Sequence, residues 1–141
     1  MKDSRKCWLF GLGVFFFCFL TNPAFAQDTV TIVQIDPLSG PMKSIGDMSI
    51  FGVQFAVDEI NAAGGLLGKK VKLLAEDHQM KADVAARKAN KAIMTDGAQF
   101  IFQLTSTAIA QALMDVAEKN KVIYLNLGAE SDFLTGKNFN K

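Results

Sequence analysis

The chain has 141 residues, one histidine, two cysteines and a formal net charge of +1 at pH 7. A charge so close to neutral excludes a strongly basic nucleic-acid-binding protein and gives no reason to expect an acidic membrane surface as partner. The length suits one small domain, with no low-complexity stretch, run of like charges or long linker to divide it.

Residues 1–26 are expected to be a secretory signal peptide. Lys2, Arg5 and Lys6 precede an apolar run from Cys7 to Leu20, and Ala24-Phe25-Ala26 offers small residues at both positions that signal peptidase reads. A membrane anchor is the competing reading, but the run is shorter than the ~20 residues a spanning helix needs. Cys18 lies in FFFCF, without the small neighbours of a lipoprotein cleavage box. Cleavage after Ala26 would remove Cys7, Cys18 and Trp8 and take the formal charge from +1 to −1. The exported chain would then have no disulfide.

Residues 27–141 alternate strand and helix. TVTIVQI, Thr29 to Ile35, is apolar and β-branched, as a strand buried on both faces should be. Pro37 ends it, and Gly40, Pro41 and Gly46 punctuate the following loop. Asp47 or Ser49 is expected to cap the first helix. Its apolar stripe is Ile50, Val53, Val57 and Ile60, widened by Phe51 and Phe55, with Asp58 and Glu59 turned outward. Asn61 and Gly64-Gly65 stop it.

A second strand is predicted over Val71 to Ala75, then a helix from Lys81 to Thr95 with Val84, Ala85, Ala89, Ala92 and Ile93 inward. Lys81, Arg87, Lys88 and Lys91 form its outer, solvated face. Phe100 to Leu104 is the third strand, Ala108 to Lys119 the third helix and Val122 to Leu125 the fourth strand. The β-α-β-α-β-α-β order implies an α/β fold, a doubly wound parallel sheet. No helix is predicted after the fourth strand, so one face there should be left bare, which is costly in a parallel sheet.

Such sheets bind ligands beyond the carboxyl ends of their strands. Three loops should meet there: Asp36 to Gly46, Thr105 to Ala108 and Asn126 to Ser131. Thr105-Ser106-Thr107 joins a strand end to a helix start, where hydroxyls, free amides and the helix dipole favour a carboxylate. Plain N-capping by Ser106 or Thr107 explains the same residues. Asn126 to Glu130 could offer carbonyls and the Glu130 charge to an ammonium group, or be an ordinary loop. Ser39-Gly40 reads as a turn with an exposed hydroxyl.

Enzyme signatures are missing. Asp36 to Pro41 does not match G-x-G-x-x-G, and Gln103-Leu104 replaces the aspartate that a phosphoryl-accepting receiver needs at its third strand. His78, the single histidine, has no serine or cysteine partner in evidence, so neither catalysis nor a metal is expected. A loop role, with Asp77 or His78 bonding local backbone, fits better.

PLSGPMKSIGD, FGVQFAVDEINAAGGLLGKKVKLLAED, the Thr105-Ser106-Thr107 loop and LGAESDFLTG together resemble the leucine/isoleucine/valine-binding protein family. These are type I periplasmic substrate-binding proteins of branched-chain amino-acid ABC transporters. The resemblance runs from about Thr29 to Lys137. It implies two lobes closing on a ligand, no cofactor, delivery to a membrane permease, and an amino acid or other small carboxylate or amide as ligand. It assigns ligand carboxylate binding to Ser106 or Thr107 and backbone contacts to Gly128, with Ala129 beside it; Ser39 belongs to the first loop of the same site. Glu130 stands where branched-chain amino-acid binders have a threonine, and Ile45 where they have an aromatic. The family's proteins are more than twice as long, so residues 27–141 correspond to an incomplete N-terminal lobe. A chain ending at Lys141 is expected to be unable to clamp a ligand alone. An exported ligand-sensing module of the same fold, acting with a receptor, is the alternative reading.

Overall fold

The computed structural model describes residues 29–136. The expected signal peptide, both cysteines and the last five residues lie outside that range. Four strands form one parallel sheet in the order β2-β1-β3-β4. They are β1 (Thr29–Asp36), β2 (Lys70–Asp77), β3 (Ala98–Gln103) and β4 (Ile123–Asn126). Three longer helices connect them: α1 (Lys43–Ala62), α2 (Ala82–Asp96) and α3 (Thr107–Asn120). A single turn, α4 (Asp132–Thr135), follows β4. Helices on both faces make the sheet doubly wound, as the alternation predicts.

β1 is the central strand. It pairs with β2 in register from Thr29↔Lys70 to Asp36↔Asp77, and with β3 through Val33↔Ile101 and Gln34↔Phe102. Val33, Ile35 and Ile101 are fully buried beneath α2 and α3. Those helices contribute Ala85, Ala89, Ala92, Ile109 and Leu113 to the same core. Alanines on α2 let it sit close to the sheet, and Asn120 Nδ2 ties α3 to α2 by donating to Asn90 Oδ1 at 3.1 Å. On the outer side of α2, Lys88 pairs with Glu76 at 2.8 Å, while Lys81, Arg87 and Lys91 are exposed.

α1 ends before Gly64-Gly65 as expected, both glycines having positive φ, but differs from its expected form at its start and on its face. It starts at Lys43, before Asp47 and Ser49, and no side chain caps it. The 3-10 turn Gly40–Met42 runs straight into it, started by the fixed φ of Pro41. Asn61, near its other end, pairs in both directions with Val71: Nδ2 donates to the carbonyl and Oδ1 accepts from the amide, each at 2.8 Å. That side chain therefore anchors the start of β2.

Phe51 and Phe55 do not widen a buried stripe. They are 74% and 59% exposed, while Val57 is buried. α1 packs over β1 and β2 only. The adjoining part of the same sheet face, from Phe100 and Phe102 to Ile123 and Leu125, has no helix over it among the described residues. The bare face expected near β4 is present, with Ile123 56% and Leu125 40% exposed.

Candidate functional site

The chain leaves β1 toward β2 on one side and leaves β3 toward β4 on the other. The loops at the carboxyl ends of these two neighbouring strands therefore diverge, and a crevice opens at the point of reversal. The three loops singled out in the sequence all lie at that edge.

Asp36, the last residue of β1, organises it. The side chain is fully buried. Oδ1 accepts from the Leu104 amide at 3.0 Å, which fixes the start of the Thr105–Thr107 loop. Oδ2 accepts from Gln34 Nε2 at 2.8 Å and from the Ser49 hydroxyl at 3.0 Å. The serine expected to cap α1 thus holds α1 to the strand end instead.

Ser106 precedes the first turn of α3. Its carbonyl accepts from Ala110 N at 3.0 Å, but its side chain makes no capping bond. Its backbone, φ 55 and ψ 112, is far from the extended geometry that lets a serine reach the next amides. The side-chain capping expected of Ser106 is thereby corrected. Ser106 and Thr107 are both half-buried at the positive end of a 14-residue helix whose first amides have no intrahelical partner.

The β4 loop closes on its own asparagine. Asn126 Oδ1 accepts from Gly128 N at 3.2 Å and Ala129 N at 2.8 Å, and Nδ2 donates to Ala129 O at 2.6 Å. Ala129 is buried and both its backbone polar groups are occupied; Glu130 is exposed. Among the described residues the Gly128 carbonyl has no hydrogen-bond partner. Gly128 must be glycine: a Cβ there would lie 2.9 Å from Leu104 O and 2.7 Å from Leu104 Cδ1. That close approach, with Leu127 N donating to Gln103 O at 2.8 Å, brings the β4 loop against the β3 loop.

Ser39 is exposed and belongs to the far side of the crevice. The next residue back, Leu38, donates its amide to Asp77 Oδ1 at 3.0 Å. Burial pushes the Asp77 carboxyl up, but the Ser39 hydroxyl, the amides of Gln79 and Leu38, and the Lys88 charge together hold it below its ordinary value.

Sequence reasoning placed His78 in a loop with local backbone bonds. Met80 N does donate to His78 Nδ1, at 3.0 Å. The ring also reaches across to β3: Nε2 lies 3.0 Å from Thr105 Oγ1, and the side chain is fully buried. Tyr124 was missed as well. Its hydroxyl donates to Gln103 Oε1 at 2.9 Å, and burial, then the Asp36 charge, raises its pKa so that it remains a donor. Gln34 Oε1 and Gln103 Nε2 are buried without a partner among the described residues. Neither the His78–Thr105 contact nor the Asp36 cluster has a sequence signature, because each joins residues far apart in the chain. No group of three or more His, Cys, Asp or Glu with metal-binding geometry occurs among the described residues.

His78 gives the site a pH dependence. Burial lowers its pKa below the ordinary 6.5 and outweighs the opposing charges of Asp36 and Asp77. The unfolded chain then takes up the proton first. Stability should be full above about pH 6.5, fall as the pH drops below it, and level off once the folded-state value is passed. Urea midpoints at pH 7.5 and 5.5 check this, with His78→Gln expected to show a smaller difference.

A hollow of about 530 Å³ lies between α3, β4 and α4. Met114, Val122, Tyr124 and Leu134 line it, and it adjoins the unpaired side of β4 rather than the Ser106 loop.

A doubly wound α/β unit with hydroxyls and a helix start at the reversal of its strand order has the arrangement at which such sheets bind ligands. The chain belongs to the periplasmic binding protein family, whose description matches residues 29–140. This is a family of solute-binding proteins rather than enzymes. Leu/Ile/Val-binding protein homolog 4 of Brucella abortus is 40% identical over 118 residues, covering 79% of this chain and 28% of that protein. Leu/Ile/Val-binding protein BraC3 of Rhizobium johnstonii is 36% identical over 110 residues, covering 78% of this chain and 30% of that protein. Among solved structures, the branched-chain amino acid transporter substrate binding protein LivJ of Streptococcus pneumoniae, in complex with isoleucine, superposes with a TM-score of 0.72 at 28% identity. That match covers 77% of this chain and 31% of LivJ. The leucine-, isoleucine-, valine-, threonine- and alanine-binding protein of Brucella ovis, in its closed conformation, gives 0.71 at 37% identity, covering 77% and 30%. The described fold thus matches part of the type I periplasmic binding protein fold, and the chain spans about three tenths of the length of these relatives.

Proposed function

We propose that this polypeptide supplies one wall of the ligand cleft of an exported solute-binding protein that serves an ABC permease for branched-chain amino acids or related small carboxylates and amides. It is not an enzyme in this reading. Ser106 carries the proposal: a half-buried serine at a helix start whose hydroxyl is not spent on capping. A ligand carboxylate would accept from Ser106, from Thr107 and from the first amides of α3, with the dipole adding attraction. The Gly128 carbonyl would accept from a ligand ammonium group, and Ala129, with its own groups closed by Asn126, would shape the loop. Ser39 would meet the ligand from the other side of the crevice. Glu130 is exposed and would stay clear of the carboxylate or face a cationic part of the ligand. Ile45 at the aromatic position and Glu130 at the threonine position weaken the case for leucine, isoleucine or valine within that class. Residues 1–26 would direct export to the periplasm.

Calorimetric titration of a full-length version, carrying both lobes, with amino acids and non-amino carboxylates tests this reading. A ligand is expected to bind, and Ser106→Ala or Thr107→Ala should each weaken it by about tenfold or more, the effect of losing one hydrogen bond to a charged group. Binding unchanged in both variants, or no binding across the set, would contradict it.

A further inference from the structure

We propose that His78 is a positioning residue: through Thr105 it holds Ser106 in its positive-φ backbone conformation. The inference rests on the reading of Ser106 as a ligand residue, but the coupling it asserts exists without ligand. Three non-glycine residues at this edge have positive φ: Gln79 at 53°, Met80 at 57° and Ser106 at 55°. Such backbone is strained for a side chain and persists only where surrounding bonds over-determine it. At the end of β2, Asp77 Oδ1 accepts from Gln79 N at 2.8 Å, and His78 Nδ1 accepts from Met80 N at 3.0 Å.

The second of these bonds fixes the tautomer. With Nδ1 accepting, the neutral ring carries its proton on Nε2, so Nε2 donates to Thr105 Oγ1 at 3.0 Å. Thr105 is buried and immediately precedes Ser106. A single ring therefore joins the strained turn after β2 to the strained residue after β3. The charged groups facing it are Asp36 from β1 and Asp77 from β2. Protonation would place a second N–H on Nδ1, opposed to the Met80 amide, and that bond would have to open.

The test is a pH titration of isotopically labelled protein by NMR, with Thr105→Val, His78→Gln and His78→Leu beside the wild type. In the wild type the amide signals of Ser106 and Thr107 should move with the midpoint of His78. In Thr105→Val, His78 should still titrate while those amides no longer follow it. Loop amides that ignore His78 in the wild type, or that follow it equally in Thr105→Val, would overturn the proposal. Affinity for the tightest-binding member of the set of amino acids and carboxylates titrated above supplies a second readout. His78→Gln, whose amide can accept from Met80 and donate to Thr105, should stay within about twofold of wild type, and His78→Leu should lose about fivefold, the worth of one hydrogen bond. Equal losses in both would count against positioning. Absence of binding across the whole set of amino acids and carboxylates in the wild type would count against the ligand reading, and the NMR result would still decide the coupling.

Discussion

Asp36→Ala should lower the free energy of unfolding by about 3 kcal/mol. The buried carboxylate accepts from three donors: Leu104 N, Gln34 Nε2 and Ser49 Oγ. Removing it leaves the Leu104 amide and one Gln34 N–H without their acceptor in a part-buried setting, and each orphaned donor costs about 1–3 kcal/mol. Ser49 and Gln34 still bond each other, which limits the loss. The effect should reach beyond stability, because these bonds join β1, α1 and the β3 loop. Asp77→Ala is the control. It removes the acceptor of Leu38 N and Gln79 N at a more exposed position, and about 1 kcal/mol is expected. Urea unfolding of the two variants gives the comparison. Equal losses would mean that Asp36 does not tie the edge together.

Gly46→Ala should be about as damaging. A Cβ at Gly46 would lie 2.0 Å from Pro37 O and 2.8 Å from Pro37 C, and both are backbone atoms that no rotamer change can move aside. α1 would have to lift off the first loop, an overpacking strain of about 3 kcal/mol or more. Gly52, in the same helix, has open space for 4 Å around the point where a Cβ would stand. Gly52→Ala should therefore stabilise by roughly 0.5–1 kcal/mol, through helix propensity alone. Opposite signs for one substitution in one helix are the expected result, read from thermal or urea midpoints. A loss at both positions would show that α1 tolerates no added methyl and that contact with Pro37 is not the cause.

The strand–helix order and the parallel sheet were legible because β-branched runs and 3.6-residue periodicity are local signals. β1 and α2 match their predicted bounds within a few residues, and Val84, Ala85, Ala89 and Ala92 are buried as their spacing requires. α1 was legible as a helix but not in its face. Phe51 and Phe55 fit an inward stripe by period, yet burial also needs something to pack against, and α1 reaches only β1 and β2. Its start was misplaced because a 3-10 turn led by Pro41 can initiate a helix without a capping side chain.

The site was legible in part. Ser106, Thr107 and Gly128 stand at the predicted edge because their loops follow strand ends. Their support was not legible. Asp36 reaches Leu104 across 68 residues, and His78 reaches Thr105 across 27. Asn126 looked like one more loop residue, yet its side chain occupies both backbone groups of Ala129 and the amide of Gly128. The long-range pairings arise from the sheet order, which brings β1 beside β3 before any site can form.

The proposed carboxylate wall is tested most directly by an amide shift map of the labelled protein titrated with sodium acetate and then with the amino acids and carboxylates of the calorimetric set. Saturable shifts centred on Ser106, Thr107 and Ala108, with smaller ones at Gly128, are expected. Saturable shifts centred on Met114, Val122 and Leu134, in the hollow beside β4, would place the ligand elsewhere and contradict the assignment of the carboxylate to the start of α3.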